Sequence, residues 1–132
     1  MPVSRLLQSA RKIPGLYSLL ALLFARRVVV HGASMYPTLR PGERVFFDRF
    51  AYRLAEPQPG EVVLARHPTR PGVRFIKRVA EPPVDGGFWL LGDNPEGSTD
   101  SRELGVFRRE DILARAWLVY WPPERLRRLK RR

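Results

Sequence analysis

RPGERVFF, residues 40–47, and QPGEVVLA, residues 58–65, place three features in the same order: a Pro-Gly turn, a glutamate and a run of strand-forming residues. Pro and Gly favour the tight turn, and Val and Phe favour the extended strand that follows. The likeness reflects recurrent turn chemistry and no true repeat. From Val28 onward, short apolar runs are separated by Pro and Gly, which predicts an all-β domain. We expect strands near residues 28–31, 44–49, 61–66, 73–80, 87–91 and 112–120.

The composition limits the chemistry that the chain can perform. It has 132 residues, enough for one domain with a modest core. It contains no cysteine, which excludes disulfides, thiolate metal sites and a thiol nucleophile. Any nucleophile must therefore be a hydroxyl or an amine. His31 and His67 are the only histidines, and neither lies in a pattern that favours a Ser-His-acid triad or a transition-metal site.

The net charge of +11 resides in the two ends of the chain. Residues 1–27 and 125–132 carry basic side chains and no acid, and residues 28–124 are neutral in sum. A neutral core between basic ends suits attachment to an anionic membrane surface better than a groove that follows phosphates, so we expect no nucleic-acid partner. Solvated ends that only keep the protein soluble are the alternative.

An apolar segment, IPGLYSLLALLFA at residues 13–25, lies between two pairs of basic residues. As a helix it would extend ~20 Å, against a hydrocarbon core of ~30 Å. We therefore expect a short N-terminal apolar helix that lies at a membrane interface or docks on the protein. A cleaved signal peptide is disfavoured because Arg26-Arg27 occupies the place of the small-residue cleavage site.

Three parts of the chain follow from these patterns. We predict a basic and apolar N-terminal helix over residues 1–27, a domain over residues 28–121 and a basic C-terminal tail over residues 122–132. The first part is the candidate for membrane association. In the tail, the prolines and the spacing of Leu126 and Leu129 predict a brief helix, with frayed disorder as the alternative.

Lys77 is the only lysine within the domain, since the other two lie in the basic ends. In VRFIKRVA, residues 73–80, strand alternation places Lys77 on the same face as Phe75 and Val79. Burial on such a face disfavours the charged amine, and a neutral lysine can serve as a base, which arginine cannot. The alternative is a lysine whose stem packs while its amine reaches water.

A polar cluster follows at residues 90–105, LLGDNPEGSTDSRELG. A strand-like run enters a Gly-Asp-Asn-Pro turn, after which Ser98, Asp100 and Arg102 alternate and would face the same way in an extended chain. Asp and Arg at this spacing can pair, and a neighbouring hydroxyl can hydrogen-bond an amine. An ordinary polar loop is the alternative.

GASMYPTL at residues 32–39, FIKRVA at residues 75–80 and the polar cluster occur in one order that resembles the signal peptidase I family of membrane-associated serine endopeptidases. The resemblance covers residues 28 to about 121 and implies a mainly β, compact signal-peptidase-like β-barrel or β-sheet domain. It implies that Ser34 is the nucleophile and that Lys77 is the general base. Ser98 matches the hydroxyl that orients the lysine in this family.

The resemblance also implies a set of residues that support this site. Asp100 and Arg102 match a buried pair, and Asp93 with Asn94 match a loop that holds the site together. Ser34 N–H would bind the oxyanion, and Gly32 replaces a serine donor found in some relatives. Met35 and Pro37 complete the Ser-Met-x-Pro box, with Met35 either on an apolar surface near the lipid or in the core. Neither a metal nor a cofactor is implied for the enzyme.

The expected substrate is an extended protein segment with small residues before the cleavage site. The compact form of the domain is most similar to the subgroup that matures nickel-type superoxide dismutase, which would make a precursor of that enzyme the partner. A general signal peptidase that acts on exported preproteins is one alternative, and a non-catalytic basic β-barrel that binds membrane or nucleic acid is another. The expected location is membrane-associated or cytoplasmic, with the side of the membrane open.

Overall fold

The computed structural model describes residues 3–81 and 86–132, and within them the chain is mainly antiparallel β-sheet, as predicted. Strands pair in the order β1-β2-β6-β3-β4-β5, and β7 adds to β6. The strands are β1 Arg26–Val29, β2 Arg44–Asp48, β3 Val62–Arg66, β4 Arg74–Val79, β5 Leu90–Leu91, β6 Ile112–Trp121 and β7 Arg127–Arg128. The helices are α1 Val3–Arg11, α2 Leu16–Leu23, α3 Ala51–Leu54 and α4 Ser101–Leu104, with 3₁₀ turns at Arg109–Asp111 and Pro123–Arg125.

The two Pro-Gly-Glu turns have the same hydrogen bond, which accounts for the likeness in sequence. The Glu43 carboxylate accepts the backbone N–H of Arg40 at 2.7 Å, and the Glu61 carboxylate accepts that of Gln58 at 2.8 Å. In both turns the glycine has a positive φ, 89° at position 42 and 93° at position 60, where other residues are strained. Each glutamate therefore closes its own turn and starts a strand.

The N-terminal region differs from the single apolar helix expected over residues 13–25. Gly15 has a φ of 78° and separates α1 from α2, which has only eight residues. Ala21 is buried, and the Tyr17 hydroxyl donates to the Asp48 carboxylate at 2.8 Å. Among the described helices, none has both the length and the apolar character to cross a bilayer. Through Ala21 and Tyr17, α2 packs on the sheet, and β1 starts at Arg26, inside the predicted N-terminal part.

The brief helix predicted at the prolines is present only as a 3₁₀ turn, and the prediction that Leu126 and Leu129 lie on one helical face, like the alternative of disorder, was wrong. A single 3₁₀ turn at Pro123–Arg125 leads into β7, which pairs with β6. Leu129 donates its backbone N–H to Trp117 O at 2.8 Å and packs against the core. Leu126, in contrast, is exposed. Pairing with a long central strand overrides the local helical preference.

Two apolar clusters pack on opposite faces of β3, and a cleft lies between β1 and β4. One cluster contains Phe47 and Leu64, and the other contains Val63 and Phe107. Among the described strands, β1 pairs only with β2, and residues 74–77 of β4 pair only with β3. Because each neighbouring pair in the path is antiparallel, β1 and β4 run in the same direction along the two sides of the cleft.

Candidate active site

Ser34 lies in the loop that follows β1, and the polar cluster holds this loop in place. Asn94 donates its backbone N–H to Ser34 O at 2.8 Å and its side-chain amide to Ala33 O at 3.1 Å. The Ser34 side chain is half-buried, and the next residue, Met35, is fully buried. The hydroxyl thus stands at the surface of a loop that is anchored on both sides.

Lys77 lies in β4 on the face predicted from strand alternation. It is only 2% exposed, and Nζ lies 5.4 Å from the ring centroid of Phe75. Burial is the main cause that lowers the Lys77 pKa from its ordinary value; the Asp100 carboxylate opposes this and the Arg102 guanidinium adds to it. The amine does not reach bulk water, which removes the alternative of a lysine that extends to solvent.

A directional chain of hydrogen bonds leads from Lys77 to Asp100. Nζ donates to Ser98 Oγ at 3.0 Å, and Ser98 Oγ donates to Asp100 Oδ2 at 3.2 Å. An ionised carboxylate can only accept, so the Ser98 hydroxyl proton points to Asp100 and its oxygen accepts from the lysine. A neutral Lys77 amine that donates one proton to Ser98 keeps its lone pair free for another partner.

Asp100 is kept ionised by donors on every side. It is 0% exposed, and it accepts the backbone N–H of Gly92 at 3.0 Å and two guanidinium bonds from Arg102 at 2.8 and 3.0 Å. Burial raises its pKa, but the bonds from Arg102 and Gly92 outweigh this and hold the pKa well below the usual range. The carboxylate is thus a fixed negative charge beside the lysine.

The geometry of this segment differs from the prediction in two respects. Residues 98–102 are not extended throughout: Asp100 has an extended backbone, but it is the N-cap of α4 and accepts the backbone N–H of Arg102 at 3.1 Å, so Arg102 is helical. The Asp100–Arg102 pair is buried only on the acid side, since the Arg102 side chain is 45% exposed. Glu103, three residues after Asp100, is the sequence signal that indicates such a cap.

Thr38 and Arg78 belong to the site although the sequence assigned them no role. Asp93 accepts two bonds from the Arg78 guanidinium, at 2.7 and 2.8 Å, and one from Thr38 Oγ1 at 2.5 Å. Burial raises the Asp93 pKa, but the hydrogen bonds from Arg78 and Thr38 bring it below its ordinary value. This carboxylate therefore joins the loop of Ser34, strand β4 and the polar cluster.

Ser34 and Lys77 both line the cleft between β1 and β4, which has a volume of about 360 Å³. The apolar side chains of Val28, Val30 and Ile76 line it as well. Within the described residues, no hydrogen bond joins Ser34 Oγ to Lys77 Nζ. Catalytic hydrogen bonds are often long without substrate and shorten only when substrate is bound.

Three other residues of the nucleophile segment have distinct environments. Met35 is 1% exposed and belongs to the core, so the alternative of a lipid-facing methionine was wrong. Gly32 has a φ of 72°, and a Cβ placed on it would meet nothing within 4 Å. The position has room for a serine side chain but a backbone that favours glycine. Pro37 is exposed and follows a cis peptide bond.

Neither histidine forms a hydrogen bond with Ser34 or Lys77 among the described residues. His67 Nδ1 accepts backbone N–H groups of Thr69 and Arg70, both at 3.1 Å, and so stabilises a turn. His31 is exposed at the rim of the cleft. In residues 3–81 and 86–132, no cluster of histidine and acidic side chains is arranged to hold a metal ion.

Comparisons with known proteins give one consistent result. The family model described as signal peptidase, peptidase S26, matches residues 5–86 and 83–121. The chain is 34% identical over 117 residues to the mitochondrial ATP-independent inner membrane protease subunit 1a of Arabidopsis thaliana, covering 72% of this chain and 70% of that protein. It is 30% identical to the mitochondrial inner membrane protease subunit 1 of Xenopus tropicalis, with 78% and 73% covered. It is 27% identical to the probable signal peptidase I-2 of Synechocystis, with 74% and 63% covered.

Proposed function

Because the chain belongs to the signal peptidase family, peptidase S26, and is therefore a serine endopeptidase, we propose that Ser34 is its nucleophile and Lys77 its general base. The observation that supports this most strongly is the buried Lys77 amine, which donates to Ser98 and shares a cleft with Ser34. Membership of this family also argues against the non-catalytic basic β-barrel.

In the proposed reaction, the lone pair of neutral Lys77 Nζ accepts the hydroxyl proton while Ser34 Oγ attacks the scissile carbonyl carbon. The Ser34 N–H donates to the oxyanion. As the C–N bond breaks, the lysine ammonium returns the proton to the leaving amine and an ester to Ser34 remains. Water then gives a proton to Lys77, attacks the ester and releases the acid, with the proton returning to Ser34 Oγ.

The cleft supports a substrate bound in an extended conformation. The edges of β1 and of residues 74–77 of β4 present backbone groups that no described strand pairs with, so a peptide can lie between them. Val30 and Ile76 line the cleft together with Ser34, and this apolar lining suits small apolar side chains before the scissile bond. The function proposed is removal of an N-terminal leader or propeptide.

For the physiological substrate we propose the precursor of nickel-type superoxide dismutase that the sequence resemblance implies. The relatives named above are signal peptidases and mitochondrial inner membrane proteases, and they support leader removal in general. A general preprotein is therefore the rival substrate. Co-expression with each precursor, followed by mass spectrometry of its N-terminus, distinguishes them: cleavage of the preprotein alone contradicts the superoxide dismutase assignment.

The proposed dyad is tested with a fluorogenic leader peptide and three variants. We expect Ser34→Ala, Lys77→Met and Lys77→Arg each to lower kcat/KM by roughly 10³-fold or more. Lys77→Arg is the decisive variant because it keeps the positive charge but cannot lose its proton. Near-normal cleavage by folded Lys77→Arg contradicts the role of Lys77 as base.

We further propose that α2 attaches the protein to an anionic membrane surface. Tyr17 and Ala21 face the sheet, whereas four apolar side chains are exposed by between 43% and 66%: Leu19, Leu22, Leu23 and Phe24. The basic residues Arg26 and Arg27 follow directly. An apolar face beside cations suits insertion among anionic headgroups. The basic end over residues 125–132 is a weaker candidate, because some of its arginines form ion pairs within the protein.

Vesicle sedimentation tests this attachment. We expect binding to phosphatidylglycerol vesicles, weaker binding to phosphatidylcholine, and a decrease with salt. Leu22→Gln with Leu23→Gln should weaken binding, whereas Leu126→Gln, which alters another exposed leucine, should not. Equal binding by the double variant and by wild type contradicts the assignment of α2.

A further inference from the structure

Glu43 is a fully buried carboxylate that ties residues near the end of the sequence to the loop of Ser34. It is 0% exposed. It accepts Arg125 Nε at 3.0 Å and two bonds from the Arg127 guanidinium at 2.8 and 3.0 Å. A buried carboxylate is costly unless it is paired and hydrogen-bonded, and here two arginines meet that need. These cations, which the sequence suggested for a membrane surface or for solvent, have an internal partner.

Arg127 also reaches the backbone of the loop itself. Its Nη2 donates to Thr38 O at 2.6 Å, while Nη1 bonds Glu43. Among the described residues, the Arg125 side chain forms a hydrogen bond with Glu43 and none with the loop backbone. The planar guanidinium of Arg127 thus spans the two ends of the turn between Thr38 and Glu43.

Thr38 connects Arg127 to the polar cluster that holds the loop of Ser34. Its hydroxyl donates to Asp93 at 2.5 Å, and the next residue, Asn94, binds Ser34 O at 2.8 Å. Arg132 Nη1 lies 3.4 Å from the same Asp93 carboxylate. Residues from β7 onward therefore contact both the loop that carries the nucleophile and the turn that holds it.

We propose that Arg127 is a positioning residue, which fixes the loop of Ser34 by binding Thr38 O and the Glu43 carboxylate at once. The inference rests on the proposed function of Ser34 as nucleophile. Loss of Arg127 should change the placement of Ser34 relative to Lys77, because it frees the loop. Arg127 does not line the proposed substrate cleft, so its loss should leave the strand edges proposed to bind substrate in place.

The test uses the full chain and a leader peptide, with Arg127→Lys as the main variant. Lysine keeps the charge opposite Glu43, but its single ammonium nitrogen cannot reproduce the fork of Nη1 and Nη2, which bonds both Glu43 oxygens and Thr38 O at once. We expect kcat to fall by about 10- to 100-fold, KM to change by less than about threefold, and the pH dependence to keep its midpoint, because a misplaced nucleophile slows chemistry without changing the base.

Arg125→Gln is the matched control, since it removes a contact to Glu43 but none to the loop backbone. We expect it to lower the thermal midpoint while kcat stays within about twofold of wild type. Arg127→Gly adds an independent measurement, because guanidinium ion at millimolar concentration should restore part of its kcat and should do nothing for Ser34→Ala.

The outcomes separate this inference from the proposed function. Arg127→Lys with wild-type kcat, or equal losses of kcat in Arg127→Lys and Arg125→Gln, overturns the positioning role. Cleavage by Ser34→Ala at the wild-type rate overturns the nucleophile assignment instead. If Arg127→Gly is unfolded at the assay temperature, Arg127→Lys alone decides, since its charge retains the pairing with the buried carboxylate.

Discussion

Lys77 Nζ donates a hydrogen bond to Ser98 Oγ at 3.0 Å, and this is the one hydrogen bond of the amine among the described residues. Because Ser98 in turn donates to the ionised Asp100, the bond has a fixed direction that orients the amine without using its lone pair. The Lys77 amine is thus oriented by the Ser98 hydroxyl and lies near two opposite charges, those of Asp100 and Arg102.

Replacement of Ser98 by alanine should reduce catalysis through the orientation of Lys77. The amine loses its buried acceptor, an effect of about 1–3 kcal/mol, and we expect kcat to fall by about 10- to 100-fold with a folded protein. Peptide cleavage and circular dichroism measure the two effects. Ser101→Ala is the control: Ser101 Oγ accepts the N–H of Leu90 at 2.8 Å, so its loss should lower stability while kcat is retained.

Replacement of Arg102 by glutamine should move the pH dependence of cleavage to higher pH. Burial lowers the Lys77 pKa most, Asp100 opposes it and Arg102 contributes to it. Without the guanidinium, the Asp100 charge stabilises the ammonium more strongly, so a smaller fraction of the amine is neutral at a given pH. We expect the acidic limb of kcat/KM to shift upward and the rate at high pH to be retained.

The exposed position of Arg102 keeps this shift modest, because solvent screens its charge. Arg128→Gln removes an exposed arginine of β7 and should leave the limb unchanged. A downward shift in Arg102→Gln would show that the guanidinium does not act on Lys77 through its charge.

Lys77→Met should give an inactive but more stable protein. Burial gives the folded state the lower pKa, so the unfolded chain binds the proton more tightly and the ammonium lowers the free energy of unfolding at neutral pH. We expect a gain of about 1 kcal/mol on replacement by an apolar side chain of similar length. The gain should shrink as pH rises towards the ordinary lysine pKa of about 10.4.

Denaturant unfolding at pH 7 and at pH 10 measures this gain. Lys130→Met removes an exposed lysine and should change the free energy of unfolding by less than about 0.5 kcal/mol at either pH. A destabilised Lys77→Met would indicate that the charged amine is better compensated by Asp100 than its burial suggests.

Gly92→Ala should disrupt the site by steric overlap. A Cβ on Gly92 would overlap Ser98 Oγ and would lie 2.7 Å from Ser34 O, so both the hydroxyl that orients the lysine and the nucleophile loop must move. We expect a loss of about 1–3 kcal/mol of stability and a fall in kcat of roughly 100-fold. Gly72→Ala is the control, because nothing lies within 4 Å of its added Cβ and its φ is not in the left-handed region.

Features that depend on short-range patterns were predictable from the sequence. The alternation in residues 73–80 placed Lys77 with Phe75 and Val79, and Lys77 is indeed buried on that face. The Pro-Gly-Glu turns set the starts of β2 and β3 within one residue, because turn geometry and the strand that follows are local properties.

Features that depend on distant pairing were not predictable. Glu43 and Arg127 are separated by 84 residues, and no local pattern distinguishes an arginine that binds a buried carboxylate from one in solvent. β7 is stabilised by pairing with β6, and Leu129 is stabilised by packing against the core. Neither contact leaves a local signal, so the local pattern predicted a helix or disorder there. At Asp100 two local signals competed, and the alternation of polar residues masked the cap signal supplied by Glu103.

The strand order has a consequence for the time at which activity can arise during translation. Ser34 follows β1 and Lys77 lies in β4, and the pairs β1–β2 and β3–β4 are joined in the sheet only through β6 at residues 112–121. These non-local contacts form late, because β6, which joins the two pairs of strands, must first emerge from the ribosome. A nascent chain therefore contains both proposed catalytic residues before the strand that joins their two halves of the sheet has been synthesised.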